Sequence, residues 1–338
     1  MMGLMEPNVI VGGGVSGLLI ARILQEKNLS FVGFEKSARL GGRGEVGAHR
    51  ILKSNTVSLL TELVPEVSWL NTEAEVKERL KGEFTPIRDG YSEAEKFYLT
   101  SSLFTPSAPF DQILEKLAAP VQEQFHQQKT VTQVHGDTKT LEFSDGTEQK
   151  FEKLFWCSDL SLLFKLWVGE PLSAPKASKK AAEMPSGVNL TFDLESPLFE
   201  SKNTVVLPFR FKDFKLRALG IPDLNDEGLS HRLHWMMFLP KELMEDREEV
   251  AKCVRTLKRE LLKEFPELTQ KTKREKIVYL PVLSGEETAH WASLEIAPDV
   301  YYLGPQIYLN EDQAEWRNLD LLVSNVSHLR SKEFQPAS

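Results

Sequence analysis

The chain has few cysteines and no long apolar run, and these absences exclude several classes of protein. Only Cys157 and Cys253 occur among the 338 residues, so there is neither a disulfide framework nor a cysteine cluster of the metal-binding kind. Such cysteine usage is typical of a reducing compartment, and we expect a cytoplasmic protein. No apolar segment reaches the about 18 residues of a membrane span. Met1 to Pro7 do not follow the pattern of a signal peptide.

An excess of positive charge is also absent. The formal net charge is −8, which argues against nucleic acid as a general partner and leaves a small molecule as the expected one. Hydrophobic residues make up 41% of the chain and charged residues 27%, as in globular proteins with an ample core. The length suggests about two domains.

Glycine is concentrated near the N-terminus, in a pattern that carries chemistry. The apolar run Val9–Val11 is followed by Gly12-x-Gly14-x-x-Gly17, and a helical pattern opens at Leu18. Strand, tight turn and helix in this order are the context that the dinucleotide fingerprint requires. In that fingerprint the first glycine allows the turn, the second lets backbone approach a pyrophosphate, and the third lets the helix pack on the sheet. The pyrophosphate is then expected at the N-terminus of the helix.

An acidic residue follows at the spacing that the same motif predicts. Ser30–Phe34 reads as the next strand and leads to Glu35, 18 residues after Gly17. The acid that binds a ribose hydroxyl is expected about 20 residues after the glycines. A carboxylate repels a 2′-phosphate, so Glu35 favours FAD or NAD over NADP in this pocket.

A second glycine motif follows directly and favours flavin over nicotinamide. Arg39-x-Gly41-Gly42-Arg43 resembles the glycine doublet of the flavin-containing amine oxidase superfamily. That superfamily includes amine oxidases, phytoene desaturases, protoporphyrinogen oxidases, renalase-like proteins and UDP-galactopyranose mutases. The resemblance implies an FAD-dependent oxidoreductase in which a small or medium-sized organic substrate passes a hydride to the flavin.

The resemblance also implies which residues contact the cofactor. Carried over position by position, they are Gly12, Gly14, Gly17, Glu35, Ser37, Gly42, Arg43, Val131 and Gly304. Two positions depart from the family. Many relatives have arginine where this chain has Ser37, and Pro305 stands where an acid or arginine would contact the flavin. The catalytic residues are not identifiable, and His49, in a Gly-Ala-His segment similar to one near the flavin ring of relatives, is the one candidate.

The expected fold is α/β, with a discontinuous Rossmann-like FAD-binding domain and an inserted α+β substrate domain. We assign residues 1–55, 110–160 and 296–338 to the FAD-binding domain, and residues 56–109 and 161–295 to the substrate domain. Helices are predicted over Ser54–Leu70, interrupted near Pro65, and over Glu242–Phe265. Aromatic residues of the second domain are candidates for lining a substrate chamber: Tyr91, Phe97, Tyr98, Phe209, Trp235, Tyr279, Trp291 and Tyr302.

Some alternatives stay open at this point. The chain resembles UDP-galactopyranose mutases too, which implies a flavin isomerase of nucleotide sugars. Ser37 and Pro305 favour a degenerate member that binds a nucleotide without catalysis. The apolar segment Ser161–Val168 either touches a membrane surface or is a short buried segment. His231 and His234 lie three residues apart on a predicted strand, on opposite faces, which argues against a shared metal site.

Overall fold

The computed structural model describes most of the chain, including all of the first glycine motif. The described residues are 6–42, 54–73, 75–87, 90–91, 95, 99, 102–172, 187–199, 203–223, 231–280, 289–304, 306–310, 313 and 318–334. The helices are α1 (Val15–Glu26), α2 (Ser54–Leu63), α3 (Phe110–Ala118), α4 (Leu160–Leu166), α5 (Lys241–Met244), α6 (Arg247–Glu264), α7 (Leu268–Lys271) and α8 (Asn318–Glu333), with a 3₁₀ turn over Ala119–Gln124.

The strands of the first half of the chain are β1 (Asn8–Val11), β2 (Phe31–Glu35), β3 (Trp69–Glu73), β4 (Glu75–Leu80), β5 (Glu83–Pro86), β6 (Ser102–Pro106), β7 (Phe125–Gln127), β8 (Val131–His135), β9 (Thr140–Phe143), β10 (Glu148–Lys150), β11 (Leu154–Trp156) and β12 (Trp167–Val168). Those of the second half are β13 (Gly187–Leu194), β14 (Asn203–Phe211), β15 (Phe214–Pro222), β16 (Arg232–Phe238), β17 (Thr272–Leu280), β18 (Ala289–His290), β19 (Glu295–Ala297), β20 (Val300–Tyr302) and β21 (Ile307–Tyr308).

The first large sheet is the nucleotide-binding type that the sequence predicts. Its strand order is β19-β20-β11-β1-β2-β7. All neighbours from β20 to β7 are parallel, and β19 is an antiparallel edge strand. The carboxyl ends of the five parallel strands therefore meet at one edge of the sheet, where open α/β sheets bind ligands. The predicted α/β fold class is confirmed.

Residues distant in sequence complete this part of the molecule. Helix α1 packs against α3 and α8, and α2 also packs against α8. The hydroxyl of Thr56 in α2 donates a 2.6 Å hydrogen bond to the carboxylate of Asp320 in α8. Both residues are buried, at 1% and 2% exposure. This bond therefore joins the N-terminal and C-terminal segments inside the core.

Replacing Thr56 by valine is expected to lower the free energy of unfolding by about 1.5–3 kcal/mol, because a buried carboxylate loses a charge-assisted hydrogen bond at nearly constant side-chain volume. Chemical denaturation of the T56V variant measures the loss. Thr61 is exposed on the same helix, so T61V is the matched control and should change stability by no more than about 0.5 kcal/mol. Equal effects of the two substitutions would contradict the role of the Thr56–Asp320 bond.

The second large sheet has seven strands in the order β17-β13-β16-β15-β14-β4-β5. Its pairs are antiparallel except β14 with β4. One face packs against α6, which buries Val250, Val254, Leu257 and Leu261. Asp246 caps this helix, accepting hydrogen bonds from the amides of Glu248 and Glu249 at 2.9 and 3.2 Å.

The structure corrects two predicted helices. The helix predicted over Ser54–Leu70 ends at Leu63, and Trp69–Glu73 is instead strand β3, paired with β6. The helix predicted over Glu242–Phe265 is divided into α5 and α6, because Asp246 has the extended backbone of an N-cap, with φ −108°. In both cases a helix ends or begins at a local signal in the sequence, Pro65 in the first and Asp246 in the second.

Arg232 connects the second sheet to the first part of the molecule. Its guanidinium lies 2.7 Å from the Asp193 carboxylate on β13 and 2.9 Å from the Asp111 carboxylate on α3. These two carboxylates hold the pKa of Arg232 above its ordinary value, against the opposing effect of burial. Arginine at this position therefore stays charged and bridges the two elements.

We expect R232M to lower the free energy of unfolding by about 1 kcal/mol, since the two ion pairs are partly exposed and screened by solvent. Urea denaturation at low and high salt measures this, and the difference should shrink as salt rises. Arg255 is exposed on α6, and R255M serves as the control. A loss that does not depend on salt would contradict an electrostatic bridge.

The apolar segment Ser161–Val168 is neither wholly buried nor wholly exposed. Leu163 is fully buried, whereas Phe164 and Val168 are 36% and 43% exposed. Among the described helices none is long and apolar enough to cross a membrane. The division of the chain into two domains at the predicted boundaries stays a prediction.

Candidate dinucleotide-binding site

The first glycine motif forms a tight turn between β1 and α1. Gly12 has φ +105°, and a Cβ there would lie 2.9 Å from the carbonyl oxygen of Cys157. A Cβ on Gly17 would lie 1.9 Å from the carbonyl oxygen of Gly12. Neither position has room for a side chain, so these two glycines are required by the turn and by the approach of the helix to the strand.

Gly14 stands in a different environment from the other two. It is the N-cap of α1 and provides no side-chain hydrogen bond to the helix. A Cβ added to Gly14 would meet no described atom within 4 Å. The first amides of a helix have no partners within the helix, and at the start of α1 the described residues leave room beside Gly14. This is the position at which the fingerprint places a pyrophosphate.

The second glycine motif lies directly on the first. The Gly41 amide donates a 2.7 Å hydrogen bond to the carbonyl oxygen of Gly13, and Gly41 forms an isolated parallel bridge with Gly14. Gly42 has φ +57°, and a Cβ there would lie 3.1 Å from the Cα of Gly14. The two motifs are separated in the sequence by α1 and β2 but are in contact in the structure. Together they form one surface made of glycine backbone.

Glu35 ends β2 beside this surface and is 7% exposed. One carboxylate oxygen accepts a 2.7 Å hydrogen bond from the Gly13 amide, and the other accepts a 2.8 Å bond from the Ser37 amide. These bonds fix the carboxylate against the glycine turn. Each carboxylate oxygen keeps a lone pair beyond these two bonds, and the predicted binding of a ribose hydroxyl by Glu35 stays a prediction.

A cavity opens at this corner of the sheet and gathers several predicted positions. Gly12, Glu35 and Val131 all line it. Sequence reasoning missed two basic side chains in the same lining, Lys36 and Lys129. Lys36 directly follows Glu35 in the sequence, which is the signal that would have found it. Lys129 lies just before β8, and only the folded structure shows that this part of the chain reaches the cavity.

Lys129 is held in place by two residues of the turn after β9. Its ammonium group pairs with Asp145 and donates a 2.8 Å hydrogen bond to the hydroxyl of Thr147. The pairing with Lys129, together with hydrogen bonds from Thr147, holds the pKa of the Asp145 carboxyl well below its usual range. The turn at 144–147 thus orients Lys129, a residue of the cavity lining.

The remaining predicted site residues have different outcomes. Gly304 follows β20 at the same edge of the sheet, and its carbonyl oxygen lies 3.3 Å from the side-chain amide of Asn325. Ser37 is exposed and takes part through its backbone. Arg43, His49 and Pro305 lie outside the described residues, so their predicted roles stay predictions.

The aromatic residues proposed for a chamber lie in several environments. Phe209 and Trp235 face the core under α6, and Tyr302 is buried in the core of the first sheet, so these three are structural. Tyr279 is 47% exposed. Tyr91 packs on the sheet face opposite α6. Among the described residues no group of His, Cys, Asp or Glu is arranged to hold a metal ion.

Comparisons with known proteins agree with this architecture. Residues 10–56 match the family model of the NAD(P)-binding Rossmann-like domain. No curated protein has a sequence that matches this chain. An oxidoreductase from Methanosarcina mazei superposes with a TM-score of 0.66 at 13% identity, covering 96% of this chain and 100% of that one.

Two further solved structures are similar over nearly the whole chain. 2,6-Dihydroxypyridine-3-hydroxylase from Arthrobacter nicotinovorans has a TM-score of 0.59 at 16% identity, covering 97% of this chain and 83% of its own. PqsL from Pseudomonas aeruginosa, a probable FAD-dependent monooxygenase, has a TM-score of 0.53 at 16% identity, covering 98% and 88%. At these identities the likeness establishes a shared fold.

Proposed function

We propose that this chain is an FAD-dependent oxidoreductase that acts on a small or medium-sized organic molecule. The observation that carries the proposal is the joined surface of the two glycine motifs, with Glu35 fixed beside it at the carboxyl edge of the sheet. The names of the similar structures, an oxidoreductase, a hydroxylase and a probable FAD-dependent monooxygenase, support the same class of activity.

The residues at this corner fit a dinucleotide in three respects. Open space at Gly14, against close packing at Gly12 and Gly17, suits a pyrophosphate on the first amides of α1. Glu35 would bind ribose hydroxyls, and Val131 and Lys36 would border the adenosine end. Bound FAD would supply two-electron chemistry. The chain's own part is to hold the cofactor, orient the substrate and exclude water.

The first test is the visible absorption spectrum of the purified chain, before and after addition of FAD and desalting. We expect flavin bands that co-purify with the protein or persist after desalting. A colourless protein that retains no FAD after loading would contradict the proposal. Retention of ADP without FAD, measured by calorimetry, would support the alternative of a nucleotide-binding protein without flavin chemistry.

Two reaction types are consistent with an FAD-dependent oxidoreductase, and they differ in their co-substrates. The resemblance to amine oxidases favours direct hydride transfer from the substrate to the flavin. The named monooxygenase and hydroxylase among the similar structures favour a reaction that consumes a nicotinamide and oxygen. Anaerobic mixing of the flavin-loaded protein with amines, amino acids and polyenes, and separately with NADH and NADPH, distinguishes the two. Loss of the flavin absorbance on mixing with a substrate alone supports the first type. Loss of the flavin absorbance on mixing with NADH or NADPH supports the second.

The mutase-like alternative makes a separate prediction. It requires turnover of a UDP-galactose isomer by the reduced protein only, with no net consumption of reductant. Product analysis after incubation with dithionite-reduced protein tests it, and oxidised protein is the control.

We also propose the two-domain division given by the sequence, with residues 161–295 supplying most of the substrate domain.

A further inference from the structure

The face of the seven-stranded sheet opposite α6 carries polar side chains in an otherwise apolar setting. On β13, Leu190 and Phe192 face α6, so Asn189 and Thr191 face the other way. On β16, His234 lies on that second face and is directly opposite Thr191 in the strand register. His234 is 4% exposed and Asn189 is fully buried, which is costly for groups with no function or partner.

These side chains form a connected row. The Asn189 amide nitrogen donates to the Thr191 hydroxyl at 3.0 Å and lies 3.1 Å from Nδ1 of His234. The Thr191 hydroxyl lies 3.2 Å from the same Nδ1. On the far side, Nε2 of His234 lies 3.1 Å from a carboxylate oxygen of Asp223. A hydroxyl, an imidazole and a carboxylate thus follow one another.

The direction of the hydrogen bonds determines where the imidazole proton lies. An amide N–H of Asn189 facing Nδ1 makes Nδ1 an acceptor, so the proton of neutral His234 is on Nε2, beside Asp223. Nε2 lies close to that carboxylate without being aligned for a hydrogen bond, and Oδ1 of Asn189 has no hydrogen-bond partner among the described residues. If Nδ1 were protonated, rotation of the Asn189 amide would bring that oxygen to accept from it.

Both ends of the row reach solvent, whereas its middle does not. Thr191 is half-buried, and the side chain of Asp223 is 17% exposed. The other charged groups that face this row are on neighbouring strands and on α3: Arg232 beside Asp223, Asp193 and Arg274 across from it, Lys276 opposite Thr191, and Asp111 on α3. Of these charged groups, Asp223 is the one in contact with the imidazole, at 3.1 Å from Nε2.

We propose that Thr191, His234 and Asp223 form a proton-accepting triad for a substrate that carries a hydroxyl or amino group. Thr191 meets the substrate group, gives its own proton to Nδ1 of His234 and takes the substrate's proton. The resulting imidazolium is stabilised by Asp223. The triad rests on the proposed function for its electron balance: bound FAD would accept the two electrons when a CH–OH or CH–NH group is oxidised to C=O or C=N, and the role of His234 would be to take the remaining proton.

The test uses 4-nitrophenol as the probe, because its phenolate absorbs in the visible range. The full chain is titrated into the probe at a pH one unit below the pKa of the free probe. We expect the ratio of phenolate to phenol in the bound probe to rise about tenfold, which corresponds to about one pKa unit. The T191V and H234Q variants should lose this rise, T191S should keep it, and D223N should reduce it.

The control is H231Q, since His231 is exposed just before the same strand. Circular dichroism and melting establish that each variant is folded, and T191V, at a half-buried position, decides the matter if H234Q does not fold. An unchanged phenolate band with the wild-type chain, whether through no binding or through binding as phenol, would overturn the triad. So would an equal rise with T191V. The assay contains no flavin, so failure of FAD retention and failure of the triad are observed separately.

Discussion

The G14V variant is expected to fold like the wild-type chain and to lose its retention of FAD. A Cβ at Gly14 would meet no described atom within 4 Å, so we expect the free energy of unfolding to change by less than about 1 kcal/mol. The same side chain would stand at the start of α1, where the proposed pyrophosphate would approach the backbone. We expect ADP affinity to fall by about a hundredfold or more, measured by calorimetry.

The contrasting substitution in the same turn is G17A. Its single added carbon would lie 1.9 Å from the carbonyl oxygen of Gly12, and α1 would have to move away from β1. We expect a loss of about 3 kcal/mol or more in stability, measured by chemical denaturation. If G14V were unstable and G17A stable, the assignment of one glycine to the ligand and the other to packing would be wrong.

The second large effect is expected at Glu35. Alanine at this position leaves the amides of Gly13 and Ser37 without the acceptors that they have at 2.7 and 2.8 Å. Each lost charge-assisted bond costs about 1.5–3 kcal/mol, and we expect the pair to cost about 2–4 kcal/mol because water reaches the Ser37 side. The variant should also lose ADP affinity, because the ribose hydroxyls lose their acceptor.

The matched control for E35A is E115A, since Glu115 is exposed on α3 and its side chain should contribute within about 0.5 kcal/mol. E35Q separates the two roles of the residue. It keeps one acceptor and places an amide N–H against a backbone N–H, so it should be nearly as unstable as E35A. An E35A variant that binds ADP as tightly as the wild type would show that Glu35 supports the turn without touching the nucleotide.

The parts of the site that the sequence predicted are those formed by short-range signals. The glycines of the first turn, the helix after them and the acid at the end of β2 all lie within residues 9–35, and each residue type has a steric or electrostatic reason at its position. The contact of Gly41 with Gly13 was also predictable, because the second motif follows directly after β2. Local chemistry was therefore sufficient to predict the glycine turn and the position of Glu35 at the end of β2.

The triad was not predictable in the same way. Thr191 and His234 meet through the register of β13 with β16, and Asp223 joins them from the end of β15. That register depends on the packing of a whole sheet. The available signal was weaker: polar residues alternate with large apolar ones on β13 and β16, which marks a strand with one special face. His234 was considered only together with His231, as a possible metal ligand. It was therefore not related to the polar face of β13.

The Thr56–Asp320 bond and the place of β20 beside β11 have a consequence for biosynthesis. A ribosome that has made β1, α1 and β2 must add nearly 270 further residues before β20 exists, which takes about 13–53 s at about 5–20 residues per second. About 145 of these residues follow β11, and while they are being made the flank of β11 that pairs with β20 has no neighbour. The nascent chain is therefore a natural client for chaperones. Messages truncated before β20 should yield protein that is cleared from the cell, and synonymous codons that slow the last segment should lower the yield of folded product.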